Sequence, residues 1–187
     1  MVQRSQNGDP SAFNELLLKY RNRVMGVAVR MLGDRAEAED LAQDVFVKVY
    51  HALNGFRGES LFSTWLYRIT ANSCLNHRKK QKHEIQLARG FDGLALIPSD
   101  GASNPHSLLE KKELTLLLEK AIQALPRERR IILILRDIEG LSYEQIGETL
   151  GVELGTVRSR LHRARLEVQA SIKEIFPRNV EKRSLEI

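Results

Sequence analysis

The stretch LSYEQIGETLGVELGTVRSRLHRARLEV, from Leu141 to Val168, decides how the C-terminal part of the chain folds. Ser142 precedes Gln145 by three positions, which is the spacing of a capping box, so the sequence predicts that a helix begins here. Gly151 is expected to end that helix, because glycine readily adopts the left-handed conformation that closes helices. Gly147 has no side chain and is expected to let a second helix cross closely. The stretch therefore predicts two short helices joined by a glycine turn.

The second of these helices has one apolar side and one cationic side. Its apolar residues recur at the intervals of a single buried helical face: Val157, Leu161, Ala164 and Val168. Its other positions are polar or basic: Thr156, Arg158, Ser159, Arg160, His162, Arg163 and Arg165. Arginine can donate two hydrogen bonds to guanine and also binds phosphate. The pattern favours a helix-turn-helix whose second helix enters the major groove of DNA, although a basic face can also be merely solvated.

The composition is that of a soluble globular protein with a modest excess of positive charge. The 187 residues are 42% hydrophobic and 28% charged, which is enough to build and solvate an apolar core. The net charge of +5 favours an anionic partner. Cys74 is the only cysteine, so no internal disulfide can form. No apolar run approaches the roughly 20 residues of a membrane span, and we expect a cytoplasmic protein.

Two amphipathic helices are predicted near the N-terminus. The first runs from Pro10 to Leu32, with Asp9 as its N-cap. The second runs from about Ala36 to Leu53 and is expected to bury a set of apolar and aromatic residues: Leu41, Val45, Phe46, Val49, Tyr50 and Leu53. Three acids share its exposed side: Glu37, Asp40 and Asp44. Such an acidic stripe is usually solvated, and binding to a partner is the alternative.

A third helix, from about Leu61 to Lys80, carries a mixed stripe on one face. The members of this stripe are an indole, two amides and two cations: Trp65, Arg68, Asn72, Asn76 and Lys79. Rings stack on unpaired bases, amides hydrogen-bond to base edges and cations hold phosphates, so single-stranded nucleic acid is a candidate ligand. A core tryptophan beside incidental asparagines is the alternative. In the preceding loop, NGFRGES, Phe56 could stack on a base or pin the loop to the core.

Apolar periodicity resumes near Ser107 and stops at Pro126. The apolar run Ile131–Leu135 is expected to belong to a short buried helix that closes at Gly140. No strand is predicted. The fold class is therefore all-α, with two small helical domains joined by a flexible linker. The predicted boundaries are a first domain over 1–81, a linker over 82–106, a second domain over 107–176 and a charged tail over 177–187.

No pattern of an active site, a cofactor site or a metal site is present. The sequence lacks a phosphate-binding glycine loop, an HExxH motif and a GxSxG motif. The histidines do not have the spacing of metal ligands: His51, His77, His83, His106 and His162. We expect no enzyme, no cofactor and no small-molecule substrate, since a DNA-processing enzyme would need a nucleophile or metal-binding acids.

Five segments spread from Gly8 to Arg165 follow one another in a characteristic order: GDPSAFNELLLKY, AEDLAQDVFVKVYHAL, FRGESLFSTWLYRITANSCLNH, ALPRERRIILILRDIEGLSYEQIGETLG and GTVRSRLHRAR. Together they resemble bacterial sigma factors of the extracytoplasmic-function (ECF) type, close to the sigma-E branch of the sigma-70 family. The resemblance implies a promoter-specificity subunit of RNA polymerase. Its N-terminal domain (region 2) would open the −10 element, and its C-terminal domain (region 4) would read the −35 element. The implied partners are the β′ clamp and β flap of core polymerase, promoter DNA and an anti-sigma factor.

The resemblance also implies roles for individual residues. The positions that match polymerase contacts are Asp40, Gln43, Asp44 and Phe46. The positions that match the capture of a flipped −10 base are Phe56, Trp65, Arg68, Asn72 and Asn76. The positions that match −35 contacts are Arg136, Tyr143, Glu144, Thr156, Arg158, Ser159, His162 and Arg163. His162 stands where close relatives often have an aromatic residue, so its base contact is expected to differ.

The alternative function is a helix-turn-helix repressor or activator that acts without polymerase. Such a protein would bind duplex DNA tightly on its own. It would have no need to bind single-stranded DNA, so the stripe from Trp65 to Lys79 would have no ligand.

Overall fold

The computed structural model describes residues 1–85 and 105–175, and no strand occurs within these ranges. The helices are α1 (Val2–Gln6), α2 (Pro10–Leu32), α3 (Arg35–Ala52), α4 (Phe62–Ile85), α5 (Pro105–Ala124), α6 (Arg127–Leu133), α7 (Tyr143–Leu150) and α8 (Leu154–Ile175). A short 3-10 turn follows α3, and a π-helical turn follows α6. The predicted all-α class is confirmed. Most of the predicted linker and the predicted tail lie outside the described residues.

Local sequence signals set the ends of α2 and α7. The carboxylate of Asp9 accepts hydrogen bonds from the N–H groups of Ser11 and Ala12, which caps α2 as predicted. The capping box of α7 is complete: Ser142 Oγ accepts from the Gln145 N–H at 3.2 Å, and Gln145 Oε1 accepts from the Ser142 N–H at 2.8 Å. Both predicted helix starts are confirmed.

Local details refine two predictions and add one helix. The apolar run Ile131–Leu135 lies in a buried helix as predicted, and α6 continues through the π-helical turn Ile134–Ile138 before the helix ends next to Gly140. An added Cβ at Gly147 would lie 3.0 Å from the carbonyl oxygen of Val152 and 3.9 Å from Leu154 Cδ2 at the start of α8, so the turn as well as the second helix approaches this glycine. The helix α1 has no counterpart among the predicted elements, because five residues are too few to show a periodic pattern.

Two side chains of α3 also differ from the predictions. The apolar spacing predicts a buried Tyr50, but this residue is 62% exposed, with its ring edge-on to Phe13 at 5.1 Å. It follows the buried Val49 by one position and so points about a quarter turn away from the core. Glu37 is predicted on the exposed acidic side, but it is half-buried beside His77, with 3.7 Å between Oε2 and Nε2. These two differences arise where a neighbouring helix meets the flank of α3.

The helices before and after the linker pack together around one continuous hydrophobic core. The buried guanidinium of Arg130 joins α6 to the end of α2 by donating to the Met31 carbonyl at 2.7 Å, and it also donates to the Leu125 and Gln123 carbonyls. Elsewhere α7 packs against α4, and the Tyr67 hydroxyl donates to the Glu139 carboxylate. Burial, reinforced by Glu139, raises the pKa of Tyr67 above its usual range, so this hydroxyl keeps its proton.

Candidate nucleic-acid and polymerase interfaces

The outer side of α8 forms the first candidate surface, the duplex face. The apolar side of α8 is buried as predicted, with Val157, Leu161, Ala164 and Val168 all at or below 9% exposure. This burial turns the opposite side of the helix outward. The residues of the duplex face are Thr156, which is half-buried, and the exposed Arg158, Ser159, His162 and Arg163.

The arginines of α8 fall into two groups. Arg165 lies on the flank of the helix, where its Nε donates to Asp137 at 3.0 Å. Arg158, Arg160 and Arg163 have no ion-pair partner among the described residues, and Arg158 interacts with the Glu144 carboxylate at longer range. A guanidinium already held by a carboxylate is less available to DNA than a solvated one. The duplex face therefore presents two guanidinium groups, those of Arg158 and Arg163, that no ion pair holds.

The start of α7 borders the duplex face. The Arg136 guanidinium donates to the Leu141 carbonyl at 2.7 Å and lies 5.0 Å from the ring centroid of Tyr143. Glu144 is exposed, and hydrogen bonds from its own backbone N–H and from Ser142 hold the pKa of its carboxyl below the usual range. Arg136 and Tyr143 thus have structural contacts as well as their predicted role, and Glu144 is ionised at neutral pH.

The single-strand face is the second candidate surface and comprises Phe56, Trp65, Arg68, Asn72 and Asn76. The last three are exposed along α4 and have no hydrogen-bond partner among the described residues. The side chain of Lys79, the last member of the predicted stripe, lies outside the described part of the chain. Free amide and guanidinium groups in a row can hydrogen-bond to base edges and phosphates.

An aromatic cluster lies at the end of the single-strand face where α4 begins. The ring of Phe56 lies 5.2 Å from Trp65 and 5.8 Å from Phe62, and Phe62 lies 5.4 Å from Tyr20. Phe56 and Trp65 are both half-buried. The ring of Phe56 thus pins the loop to the aromatic cluster, and because the residue is only half-buried its stacking on a base stays a prediction. An unpaired base could stack against the exposed part of the ring.

A residue of α1 also reaches this cluster, and its contact was not predicted from the sequence. The Gln6 amide donates to the carbonyls of Leu53 and Phe56, which are separated from it by 47 and 50 residues. No periodicity or cap links residues so far apart, so no signal in a single sequence could have found the contact.

The polymerase face on α3 comprises Asp40, Gln43, Asp44 and Phe46. The first three side chains are exposed and Phe46 is half-buried. They adjoin an apolar groove between α2 and α3, whose lining includes Phe13, Leu17, Met25, Phe46, Val47 and Tyr50. Val47 is 55% exposed and was not singled out from the sequence. The face thus combines carboxylates with unpartnered apolar surface, as protein-binding sites often do.

A second apolar groove lies between α5, the π-helical turn and α8. Its lining includes Leu118, Ile122, Leu133, Ile138, Val168 and Ile172. Leu118 and Ile138 are 40% and 39% exposed. The groove uses α8 from Arg165 to Lys173, whereas the duplex face lies earlier on the helix, over 156–163.

Groups suited to metal binding or nucleophilic attack do not gather at any of these faces. In the described ranges, no group of three or more histidine, cysteine, aspartate or glutamate side chains is placed to hold a metal ion. Cys74 is 1% exposed, and burial raises the pKa of its thiol to about 12. Among residues 1–85 and 105–175, every helix is too short or too polar to cross a lipid bilayer.

The fold and these faces define an all-helical DNA-binding protein with a helix-turn-helix. Residues 16–84 match the family model of sigma-70 region 2, and residues 115–168 match that of sigma-70 region 4. The chain is 38% identical over 183 residues to the RNA polymerase sigma-H factor of Pseudomonas aeruginosa, with 94% of each chain covered. It is 34% identical over 185 residues to the ECF RNA polymerase sigma-E factor of Escherichia coli K12, with 95% of each covered. The chain therefore belongs to the ECF sigma factors of the sigma-70 family.

Solved structures agree with this assignment. A sigma factor RpoE in complex with the anti-sigma factor NepR, from Bartonella quintana, has a TM-score of 0.74 at 26% identity, covering 87% of this chain and 97% of that chain. CnrH in complex with the cytosolic domain of CnrY has a TM-score of 0.66 at 21% identity, covering 92% and 95%, and shares the fold. The predicted family is confirmed, and its function is promoter-specific initiation of transcription with RNA polymerase.

Proposed function

We propose that this sigma factor divides promoter recognition between two surfaces: the duplex face reads the −35 element, and the single-strand face holds the opened −10 element. The observation that carries the proposal is the contrast within α8. Arg158 and Arg163 are exposed and have no ion pair within the described ranges, whereas Arg165, two turns further along α8 from Arg158, is held by Asp137. The exposed guanidinium groups of the duplex face are therefore available to an anionic ligand, which supports the proposal.

The duplex face has the groups that major-groove recognition requires. Arg158 and Arg163 can each donate two hydrogen bonds to guanine, and Ser159 can bond to several bases. At the border of the face, the ionised Glu144 can accept from the cytosine amino group, and Arg136 can approach a phosphate. His162 is also exposed on this face, and its ring nitrogens offer a polar contact to a base.

The single-strand face has the groups that a flipped base requires. Flipping costs a few kcal/mol, and stacking on an aromatic side chain returns about 1–3 kcal/mol per base. The open side of the rings of Phe56 and Trp65 supplies the stacking surface. Asn72 and Asn76 can then bond to base edges while Arg68 holds a phosphate. The energies are comparable, so this face can sustain an opened −10 element.

The polymerase face and the two grooves are assigned to core polymerase. Asp40 and Asp44 can pair with a basic helix, and Phe46 with the adjoining groove offers the apolar contact that such a partner would bury. We assign this face to the β′ clamp. The second groove, which starts at Leu118, is assigned to the β flap. On this assignment the chain contributes binding and no catalysis, in the cytoplasm where polymerase works.

In the structure, region 2 and region 4 pack against each other. We assign this arrangement to the protein before it binds a promoter. The −35 and −10 elements are about 25 base pairs apart, which is about 85 Å along B-DNA. Since α7 packs directly on α4, both faces cannot reach their elements until the halves separate. A similar sigma factor was solved with an anti-sigma factor bound. An anti-sigma factor for this chain would act by opposing that separation.

Run-off transcription tests the proposed function. Core polymerase, the purified chain and a pool of templates with randomised −35 and −10 elements would be combined, and the transcripts sequenced. We expect enrichment of templates that share one −35 and one −10 sequence. Absence of any promoter-dependent transcript, together with tight duplex binding by the chain alone, would instead support a regulator that works without polymerase.

A further inference from the structure

The side chain of Gln6, near the N-terminus, forms hydrogen bonds with the backbone around Phe56. Gln6 Nε2 donates to the carbonyl oxygen of Leu53 at 2.9 Å and to that of Phe56 at 2.8 Å. Gln6 is half-buried at the end of α1, which contacts the 3-10 turn Leu53–Gly55. The Gln6 amide therefore bonds to the backbone at both ends of the 3-10 turn that precedes the Phe56 loop.

The Phe56 carbonyl needs an external donor. At Phe56 the chain leaves the 3-10 turn in an extended conformation, with φ −75° and ψ 112°, so its carbonyl has no helical partner. The Leu53 carbonyl accepts from the Phe56 N–H at 3.0 Å within the turn, and Gln6 adds a second donor to it. The segment is also intrinsically pliable, because Gly55 precedes Phe56 and Gly58 follows it with a φ of +74°. Without the two hydrogen bonds from Gln6, Phe56 would be held by the bond from its N–H to the Leu53 carbonyl and by the contacts of its ring with Phe62 and Trp65.

The helix that carries Gln6 is itself fastened to the domain. Arg4 donates from Nε and Nη2 to the Asp9 carboxylate at 3.0 and 2.8 Å. The same carboxylate caps α2. Arg4 and Asp9 thus hold α1 against the start of α2, and Gln6 transmits that fixed position to the Phe56 loop.

We propose that Gln6 is a positioning residue for −10 recognition, which sets the backbone of the Phe56 loop so that the ring stays beside Trp65 and open to a base. The inference rests on the proposed role of the single-strand face. Gln6 itself makes no contact with DNA; it lowers the cost of ordering the loop before the base arrives.

The structural half of the proposal is tested with Gln6→Met in the full chain, because methionine matches glutamine in shape and charge but cannot donate. Gln3→Met is the matched control, an exposed glutamine on the same helix. We expect backbone amides of residues 54–60 to exchange about tenfold faster in Gln6→Met only. Acrylamide should also quench the single tryptophan, Trp65, more strongly. Equal exchange and quenching in the two variants would overturn the proposal.

A rescue variant separates loss of the hydrogen bonds from simple damage to α1. Gln6→Lys keeps N–H donors of similar reach, and Gln3→Lys controls for the added charge. We expect Gln6→Lys to restore most of the slow exchange. Failure to restore it would mean that the donors are not what holds the loop, which would overturn the proposal.

The functional half uses holoenzyme and a labelled single-stranded oligonucleotide carrying the selected −10 sequence. We expect Gln6→Met to weaken this binding about tenfold and to leave duplex −35 binding unchanged. Asn72→Ala is measured beside it. If Asn72→Ala weakens binding and Gln6→Met does not, the Gln6 inference alone is wrong. If neither variant weakens binding, the proposed role of the whole single-strand face is wrong.

Discussion

The duplex face and the single-strand face are built in different ways. The duplex face lies on one helix, and each of its side chains is positioned by the burial of Val157, Leu161 and their apolar neighbours on the reverse side. The single-strand face combines α4 with the Phe56 loop, and that loop depends on Gln6 from the start of the chain. A duplex offers a regular groove that one rigid helix can read, whereas a flipped base needs a pocket with walls from several segments.

This difference determines how each face should respond to mutation. Substitutions on the duplex face should change one contact at a time, because the helix does not depend on any single exposed side chain. Substitutions around the single-strand face should act together, because Phe56, Trp65 and Gln6 share one cluster of contacts.

The largest expected effect is that of Arg163→Ala on −35 duplex binding. Loss of a bidentate contact to a base costs about 1–3 kcal/mol, or about 5- to 150-fold in affinity. Binding of holoenzyme to duplex promoter fragments, titrated at several salt concentrations, measures the loss. Arg165→Ala is the matched control, since that side chain is held by Asp137, and an equal loss in both variants would mean that α8 contributes only general positive charge.

The next effect is that of Asn72→Ala on strand opening. Removal of an amide that bonds a base edge should reduce the open fraction about tenfold and leave the closed-complex affinity nearly unchanged. Permanganate reactivity of thymines in the −10 element reports the open fraction. Asn14→Ala, a substitution on α2 outside the single-strand face, should behave as wild type. An unchanged footprint in Asn72→Ala would remove Asn72 from the single-strand face.

A smaller effect is expected for Asp44→Ala, which should weaken binding to core polymerase and leave DNA binding by holoenzyme intact at saturating concentrations. Loss of one interfacial carboxylate at a polar rim changes affinity by about 1 kcal/mol, or roughly fivefold. Competition with a labelled sigma factor for core polymerase measures it. Glu128→Ala on α6 removes an acid far from this face along the chain and should have no effect.

The smallest effect concerns stability. Ser142→Ala removes the cap of α7 and should cost about 1 kcal/mol, which lowers the melting temperature by about 2–4 °C in a chain of this size. Ser171→Ala is the control, because its hydroxyl only bonds back to the Glu167 carbonyl within α8. Equal melting temperatures in the two variants would mean that the capping box does not fix the start of the helix-turn-helix.

The contrast between the two faces also explains what could be predicted from the sequence. Caps at Asp9 and Ser142 and the apolar spacing of α8 are local signals, and they predicted the correct helix starts and the correct buried face. The roles of Trp65 and Asn72 needed a family resemblance in addition, because their spacing alone left a core residue and a base-binding residue equally possible.

The remaining features depend on contacts between distant segments. The Arg130 guanidinium reaches the Met31 carbonyl across 99 positions, and the Gln6 amide reaches the Phe56 carbonyl across 50. Neither Arg130 nor Gln6 belongs to a periodic pattern from which its partner could be predicted. The exposure of Tyr50 has a local cause instead, since this residue follows the buried Val49 by one position and so points away from the core.

Transcription from a template with a pre-opened −10 element tests the division of labour most directly. A mismatched bubble supplies the opening step, so Asn72→Ala should regain most of its activity on the bubble template. Arg163→Ala should remain defective at limiting holoenzyme, because its defect lies in holding the −35 duplex. Equal rescue of both variants, or rescue of neither, would contradict the assignment of opening to one face and duplex recognition to the other.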